Sequence, residues 1–204
     1  MTQSQNGPCA KRIYTVSSLL RDMRGILTCP PASSRSERSV NSSFSERIML
    51  AVTGVNDCRY CSYGHAKRAL ECGVTQEEIE LLLGGDFGRV PPAEAPAILF
   101  AQHYAESGGN PDPDAIRTLE ETYGKRTAED ILFRIRMITL GNLTGNTFDA
   151  LLGRVRGRPA GDSSLWGELA VFVLLVLGMP VVGLGLVFKR LAAALGMRSA
   201  ADWA

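Results

Sequence analysis

Twenty consecutive residues, Leu169 to Phe188, carry no charged or strongly polar side chain. No other stretch limits the fold of this chain so strongly. Glu168 precedes the run, and Lys189 and Arg190 close it. At ~1.5 Å per helical residue such a run is roughly 30 Å long, about the thickness of a bilayer's hydrocarbon core. Gly178, Pro180, Gly183 and Gly185 fall inside it, and membrane helices tolerate these residues better than soluble ones do. A helix buried in an oligomer usually keeps a polar stripe, and this one has none. Trp166 stands at one edge, where an interfacial anchor belongs. The run therefore predicts a C-terminal apolar helix over residues 167–190 that anchors the chain in a membrane. A basic linker, 156–166, leads into it, and a tail, 191–204, follows. Arg154, Arg156 and Arg158 flank one side and Lys189, Arg190 and Arg198 the other, so positive charge leaves the orientation open.

Ahead of that run the apolar residues recur at helical spacing. Val16, Leu19, Leu20, Met23 and Leu27 mark a first helix, which Cys29-Pro30-Pro31 stops. Ser- and Arg-rich residues 32–43 suit a loop. A second helix runs from Ser43–Ser45 to about Val55, with Ile48, Met49, Val52 and Val55 on its apolar face. A third continues through Ala66, Ala69 and Leu70 to Cys72-Gly73, glycine being the expected residue just past a helix. Thr75-Gln76-Glu77-Glu78 reads as a capping box opening a short helix to Leu83. Pro91-Pro92 opens another over 92–107, and Asp114–Tyr123 is short and amphipathic. Thr127-Ala128-Glu129-Asp130 is expected to cap a long helix reaching towards Leu152. Its segment 141–147, Gly-Asn-Leu-Thr-Gly-Asn-Thr, is small and polar, which suits a close subunit contact. No segment reads as a strand. The predicted class is all-α, with a polar, disordered N-terminus over 1–12 and one helical domain over 13–155.

With 22 basic and 21 acidic residues the net charge is +1, and no basic run is interleaved with aromatics, so no nucleic-acid partner is implied. Five cysteines are an odd number, against a secreted disulfide framework. Met1 to Thr15 lacks an apolar core of the secretory type. These observations predict a cytoplasmic, reducing setting, where exposed disulfides are transient and catalytic.

Chemistry concentrates in Cys58-Arg59-Tyr60-Cys61-Ser62-Tyr63-Gly64-His65. If a helix starts near residue 59, then Cys58, Cys61 and His65 share one face. A thiol at a helix N-terminus has a lowered pKa and a more populated thiolate. His65 is placed to take a proton from Cys61 or to stabilise its thiolate. The neighbouring thiol then resolves a sulfenic acid or mixed disulfide into an internal bridge. Cys58, nearer the helix start, is expected to be the more exposed of the two, and which sulfur attacks stays open. Glu46 lies close to the apolar face of the second helix. It serves either as part of this site or as a helix-start charge that favours the dipole. Two other readings compete: a pair of ordinary core cysteines, and a zinc site completed by His65 with Glu46 or His103, though no second CxxC or HxxxH exists. His103 is expected at the surface or in packing. Cys72, about three turns after Cys61, is expected in the core. Cys9 reads as incidental and Cys29 as a loop cysteine.

The pattern Glu46–Cys58–Cys61–His65 resembles that of alkyl hydroperoxidase D (AhpD) and its relatives in the carboxymuconolactone decarboxylase superfamily. Ser45-Glu46-Arg47-Ile48-Met49-Leu50-Ala51-Val52, followed by Asn56-Asp57-Cys58-Arg59-Tyr60-Cys61, is similar to that family's core helix pair. The resemblance covers residues ~15–155. It implies an all-helical, homo-oligomeric protein that reduces hydroperoxides or disulfides. Cys58 and Cys61 would be the redox pair, with Glu46 and His65 in the proton relay. It requires no cofactor and no metal, and it implies a thiol reductant partner, lipoyl or thioredoxin-like. Where AhpD has a histidine just before the second cysteine, this chain has Tyr60. The decarboxylase branch lacks the cysteine pair. The alternative of a different class is a membrane-tethered redox sensor or scaffold without turnover.

Overall fold

Helix follows helix in the computed structural model, which describes residues 11–28, 40–159 and 163–194. In chain order these are α1 (Val16–Thr28), α2 (Ser42–Asn56), α3 (Arg59–Glu71), α4 (Gln76–Leu83), α5 (Ala95–Glu106), α6 (Pro113–Tyr123), α7 (Lys125–Val155) and α8 (Leu165–Ala194). Among the described residues there is no strand, as the periodicity predicts. The expectations for Cys9 and Cys29 lie outside the described residues.

The middle of the fold is α2, which packs on α3, α4, α5 and α7. It can do so because its apolar residues wrap most of its circumference: Phe44, Ile48, Leu50, Ala51 and Val52 are all buried. Asn41 starts the helix by accepting the Phe44 backbone N–H at 2.8 Å. Gly54 lets α4 come close, since a Cβ there would lie 2.7 Å from the Leu83 carbonyl oxygen. Arg47 ties α2 to its neighbours through Glu78 at 2.6 Å and Glu94 at 3.1 Å. A second apolar cluster joins Leu19, Met23 and Ile26 of α1 to Leu140 and Leu143 of α7 and Val171, Leu175 and Val182 of α8.

Several expectations need correction. Pro91-Pro92 does not open α5. Those residues form a turn, with the Glu94 N–H donating to the Pro91 carbonyl at 2.8 Å, and the helix begins at Ala95. Pro96 sets that start, because a proline fits only where its missing N–H has no helical partner. Thr127 does not cap α7. Gly124 takes a positive φ of 77°, so α6 stops and α7 starts at the next residue, leaving Thr127 already inside the helix. Cys72 is exposed, not core. It stands at the C-cap of α3, just past the buried Ala69, with Leu70 and Glu71 exposed beside it. Thr75 does cap α4, accepting the Glu78 N–H at 3.2 Å. The Glu78 carboxylate, however, faces Arg47 instead of closing the box.

Candidate active site

The link between α2 and α3 is two residues long, and it builds the site. Asp57 ends α2 in the left-handed region at φ 50°, a conformation aspartate tolerates better than most side chains. Lys11 holds this turn by donating to the Asp57 carbonyl at 2.9 Å. Cys58 is then extended and forms the N-cap of α3, with its carbonyl accepting the Ser62 N–H at 2.8 Å. Cys61 follows one turn on. The two sulfurs lie 3.0 Å apart and share a hydrogen bond.

Exposure of the pair reverses the expectation. Cys58 is 0% exposed, whereas Cys61 is partly open to solvent. The reason is α7, which passes directly behind the N-cap. A Cβ on Gly145 would lie 2.8 Å from Cys58 Sγ, and one on Gly141 would lie 3.9 Å from Cys61 Sγ. Within the subunit, then, the small residues of segment 141–147 let α7 seat the dithiol. The polar residues between them are buried and bridge to α2. Thr53 Oγ1 donates to Asn142 Oδ1 at 3.2 Å, and Asn146 Nδ2 donates to the carbonyls of Asn56 at 2.7 Å and Arg12 at 3.0 Å.

The sulfurs carry unequal charge. Cys58 is lowered to about 6, first by the hydrogen bond from Cys61 and further by the backbone N–H groups of Cys61 and Tyr60, against the opposing effect of burial. Cys61 is raised, first by sharing its proton with Cys58, then by burial and by the negative charge on Cys58. Two like charges at this distance repel strongly, so the pair holds a single proton between its sulfurs over the neutral range.

Glu46 and His65 meet because α2 and α3 pack side by side. His65 Nδ1 lies 2.6 Å from Glu46 Oε2, and Glu46 is 4% exposed. The carboxylate accepts from Nδ1 and orients the ring, leaving Nε2 for proton exchange. His65 follows Cys61 by one helical turn and shares its face. Arg68 Nε reaches the other oxygen, Glu46 Oε1, at 3.2 Å. The sequence reading missed Arg68, although its place three residues after His65 puts it on the same side of α3.

At the mouth, Tyr60 stands immediately before Cys61. Its hydroxyl donates to Asp149 Oδ1 at 2.7 Å and accepts from Arg59 Nη2 at 2.8 Å. Arg59 also pairs with Asp149 at 2.6 Å, and its guanidinium lies 4.8 Å from the Tyr60 ring centroid. Nothing in the sequence pointed to Asp149, which arrives from α7, about ninety residues away. His103 lies apart from this site, and its Nε2 accepts the Asp112 N–H at 3.1 Å. No cluster of three or more potential metal donors occurs among the described residues.

The site is thus a paired dithiol at a helix start with a carboxylate–imidazole pair beside it, in an all-helical domain. Residues 35–106, which span α2 to α5, match the carboxymuconolactone decarboxylase family, and the chain is consistent with an AhpD-like member of that superfamily. The matched domain and its cysteine pair fit an AhpD-like redox function. No curated protein and no solved structure matches the chain.

Proposed function

We propose that this protein is a thiol oxidoreductase that reduces hydroperoxides or partner disulfides through Cys58 and Cys61. The observation that carries the reading is the 3.0 Å approach of the two sulfurs, with only Cys61 open to solvent. Cys61 attacks, and its proton passes to Cys58. With a hydroperoxide, a bond forms from Cys61 sulfur to the terminal oxygen, the O–O bond breaks, and the alkoxide takes a proton from the His65 imidazolium. The neutral imidazole then removes the Cys58 proton. Cys58 sulfur attacks the sulfenic acid, the S–O bond breaks, and the departing hydroxide takes the proton from His65 and leaves as water. The disulfide is returned to the dithiol by a thiol reductant, of lipoyl or thioredoxin-like type, which is itself oxidised. Glu46 holds His65 for both transfers. Attachment of the protein to a membrane through α8, with the domain on the cytoplasmic side and assembled as a homo-oligomer, belongs to the same proposal. The length and apolarity of Leu165–Phe188 support the membrane part.

The test is steady-state turnover with a dithiol reductant and either a hydroperoxide or a model disulfide. Cys58→Ser and Cys61→Ser should each abolish it; wild-type turnover in either variant would remove that cysteine from the chemistry. A single oxidation without cycling would favour a sensor over an enzyme.

A further inference from the structure

The C-terminal helix has two faces. Val171, Leu175, Gly178, Val182 and Gly185, spaced four, three, four and three, turn inward. The two glycines are contact points: a Cβ on Gly178 would run into Met23, and one on Gly185 would lie 2.8 Å from Leu27 Cδ2. Arg154 clamps the start of the helix through Glu168, which is 2% exposed, at 3.0 Å. The opposite face is uncovered. Val173, Val176, Leu177, Val181, Leu184 and Phe188 are each more than half exposed.

Three features favour a lipid surface over a second copy as the partner of that outer face. A helix–helix seam carries charged positions on its flanks, and between Leu169 and Phe188 there are none. Trp166, 80% exposed, adds to the start of the run an amphipathic ring of the kind enriched at membrane–water interfaces. Arg156 and Arg158 are exposed on the segment that the Arg154–Glu168 pair holds beside that end, where they complement anionic head groups. Because α8 keeps its inner face on α1 and α7, it meets the bilayer with its outer face only.

That same helix is joined to the dithiol mouth by a row of rings. Phe172 of α8 lies 6.2 Å from Phe148 of α7, centroid to centroid, and Phe148 lies 6.2 Å from Tyr60. Tyr60 borders Cys61 in sequence and flanks the seat of Cys58, since a Cβ on Gly145 would lie 3.4 Å from its ring. Phe148 and Tyr60 are each 42% exposed, so the row is open towards Cys61 along its ring faces, with the Tyr60 hydroxyl turned to Asp149. A small, water-borne peroxide has no use for such a track, whereas an acyl chain does.

We infer that the substrate of the dithiol is an acyl hydroperoxide carried by a membrane phospholipid. The bilayer is gripped by the outer face of α8, and the oxidised chain is led along Phe172, Phe148 and Tyr60 to Cys61. This rests on the peroxidase reading above. The Cys61–oxygen bond forms as the lipid O–O bond breaks, a lipid alcohol leaves, and Cys58 closes the disulfide with release of water, the thiol reductant then restoring the pair.

The full chain is tested with a dithiol reductant against two substrates: tert-butyl hydroperoxide in solution, and a phospholipid hydroperoxide in vesicles of phosphatidylcholine and phosphatidylglycerol. Wild type should sediment with the vesicles and turn over the lipid substrate. The double variant Val176→Asp, Leu184→Asp places two carboxylates on already exposed positions. It should stop sedimenting and lose about tenfold or more of the lipid rate, given the cost of a charge in hydrocarbon, while its tert-butyl hydroperoxide rate stays at the wild-type value. Phe148→Ser should still sediment yet lose the lipid rate. Wild-type turnover of tert-butyl hydroperoxide with no vesicle binding, or a lipid rate indifferent to these variants, overturns the inference and leaves the peroxidase reading standing. So does a soluble dimer that the double variant converts to monomer. Failure on both peroxides overturns the peroxidase reading and this inference together.

Discussion

Consider what removing Cys61 does to Cys58. The hydrogen bond from Cys61 is the largest influence holding Cys58 at about 6; burial, which pushes the other way, would remain. In Cys61→Ala the midpoint should therefore climb towards the ordinary thiol value of about 8.5. At pH 7 the thiolate fraction would fall from about nine tenths to about three hundredths. Reaction rates understate such a change, because nucleophilicity falls with pKa, with a Brønsted slope of about 0.4–0.5, and offsets part of the lost population. The clean readout is thiolate absorbance followed against pH in the fully reduced protein, with Cys9, Cys29 and Cys72 replaced by serine. Wild type should show one step near 6, Cys61→Ala a step moved up towards about 8.5, and Cys61→Ser, which keeps a donor in place, a step between them. A wild-type step near 8.5, or a step that Cys61→Ala leaves unmoved, would refute the reasoning. The same shift makes stability depend on pH. A thiol whose folded value is depressed contributes stability in full above about 8.5, and that contribution is gone once the pH has fallen through about 6. The reduced protein should lose stability across that window, whereas the disulfide form should not.

Other outcomes are as specific. Glu46→Gln and His65→Ala should each lower turnover, His65→Ala by about 100-fold or more, the usual worth of a positioned acid–base group, while circular dichroism and thermal unfolding stay near wild type. Rates unchanged in both would remove the pair from the mechanism. Gly145→Ala should cost about 1–3 kcal/mol in thermal unfolding and slow disulfide closure, because its methyl group would press on Cys58 Sγ from 2.8 Å. An unaltered closure rate would mean that α7 does not seat the sulfur. Asn146→Ala breaks the bonds to the Asn56 and Arg12 carbonyls and should destabilise the fold by about 1–3 kcal/mol in urea unfolding.

Local rules made the site's inner part legible. Cys58 at the helix start and Thr75 as a cap follow from chemistry within a few residues. The Glu46–His65 pair was legible from one added premise, that α2 and α3 pack face to face, which the family resemblance supplied. What lay hidden came from α7. Its glycines signalled a close contact, yet sequence spacing could not say whether another subunit or Cys58 would fill the space. Asp149 gave no signal, because its partners Arg59 and Tyr60 are distant in the chain. The exposures of Cys58 and Cys72 were misjudged for one reason: helical phase tells which way a side chain points, not whether a neighbouring helix extends far enough to cover it.

Gly145, under the dithiol, and Arg154, which grips α8, lie on one unbroken helix, nine residues apart, or about 14 Å along its axis. The dithiol is thus mounted at a constant height above the surface that α8 presents. If the proposed peroxidase works at a membrane, bending cannot carry the sulfurs from oxidant to reductant: a donor protein would come to the site at that height, or the whole molecule would let go and turn.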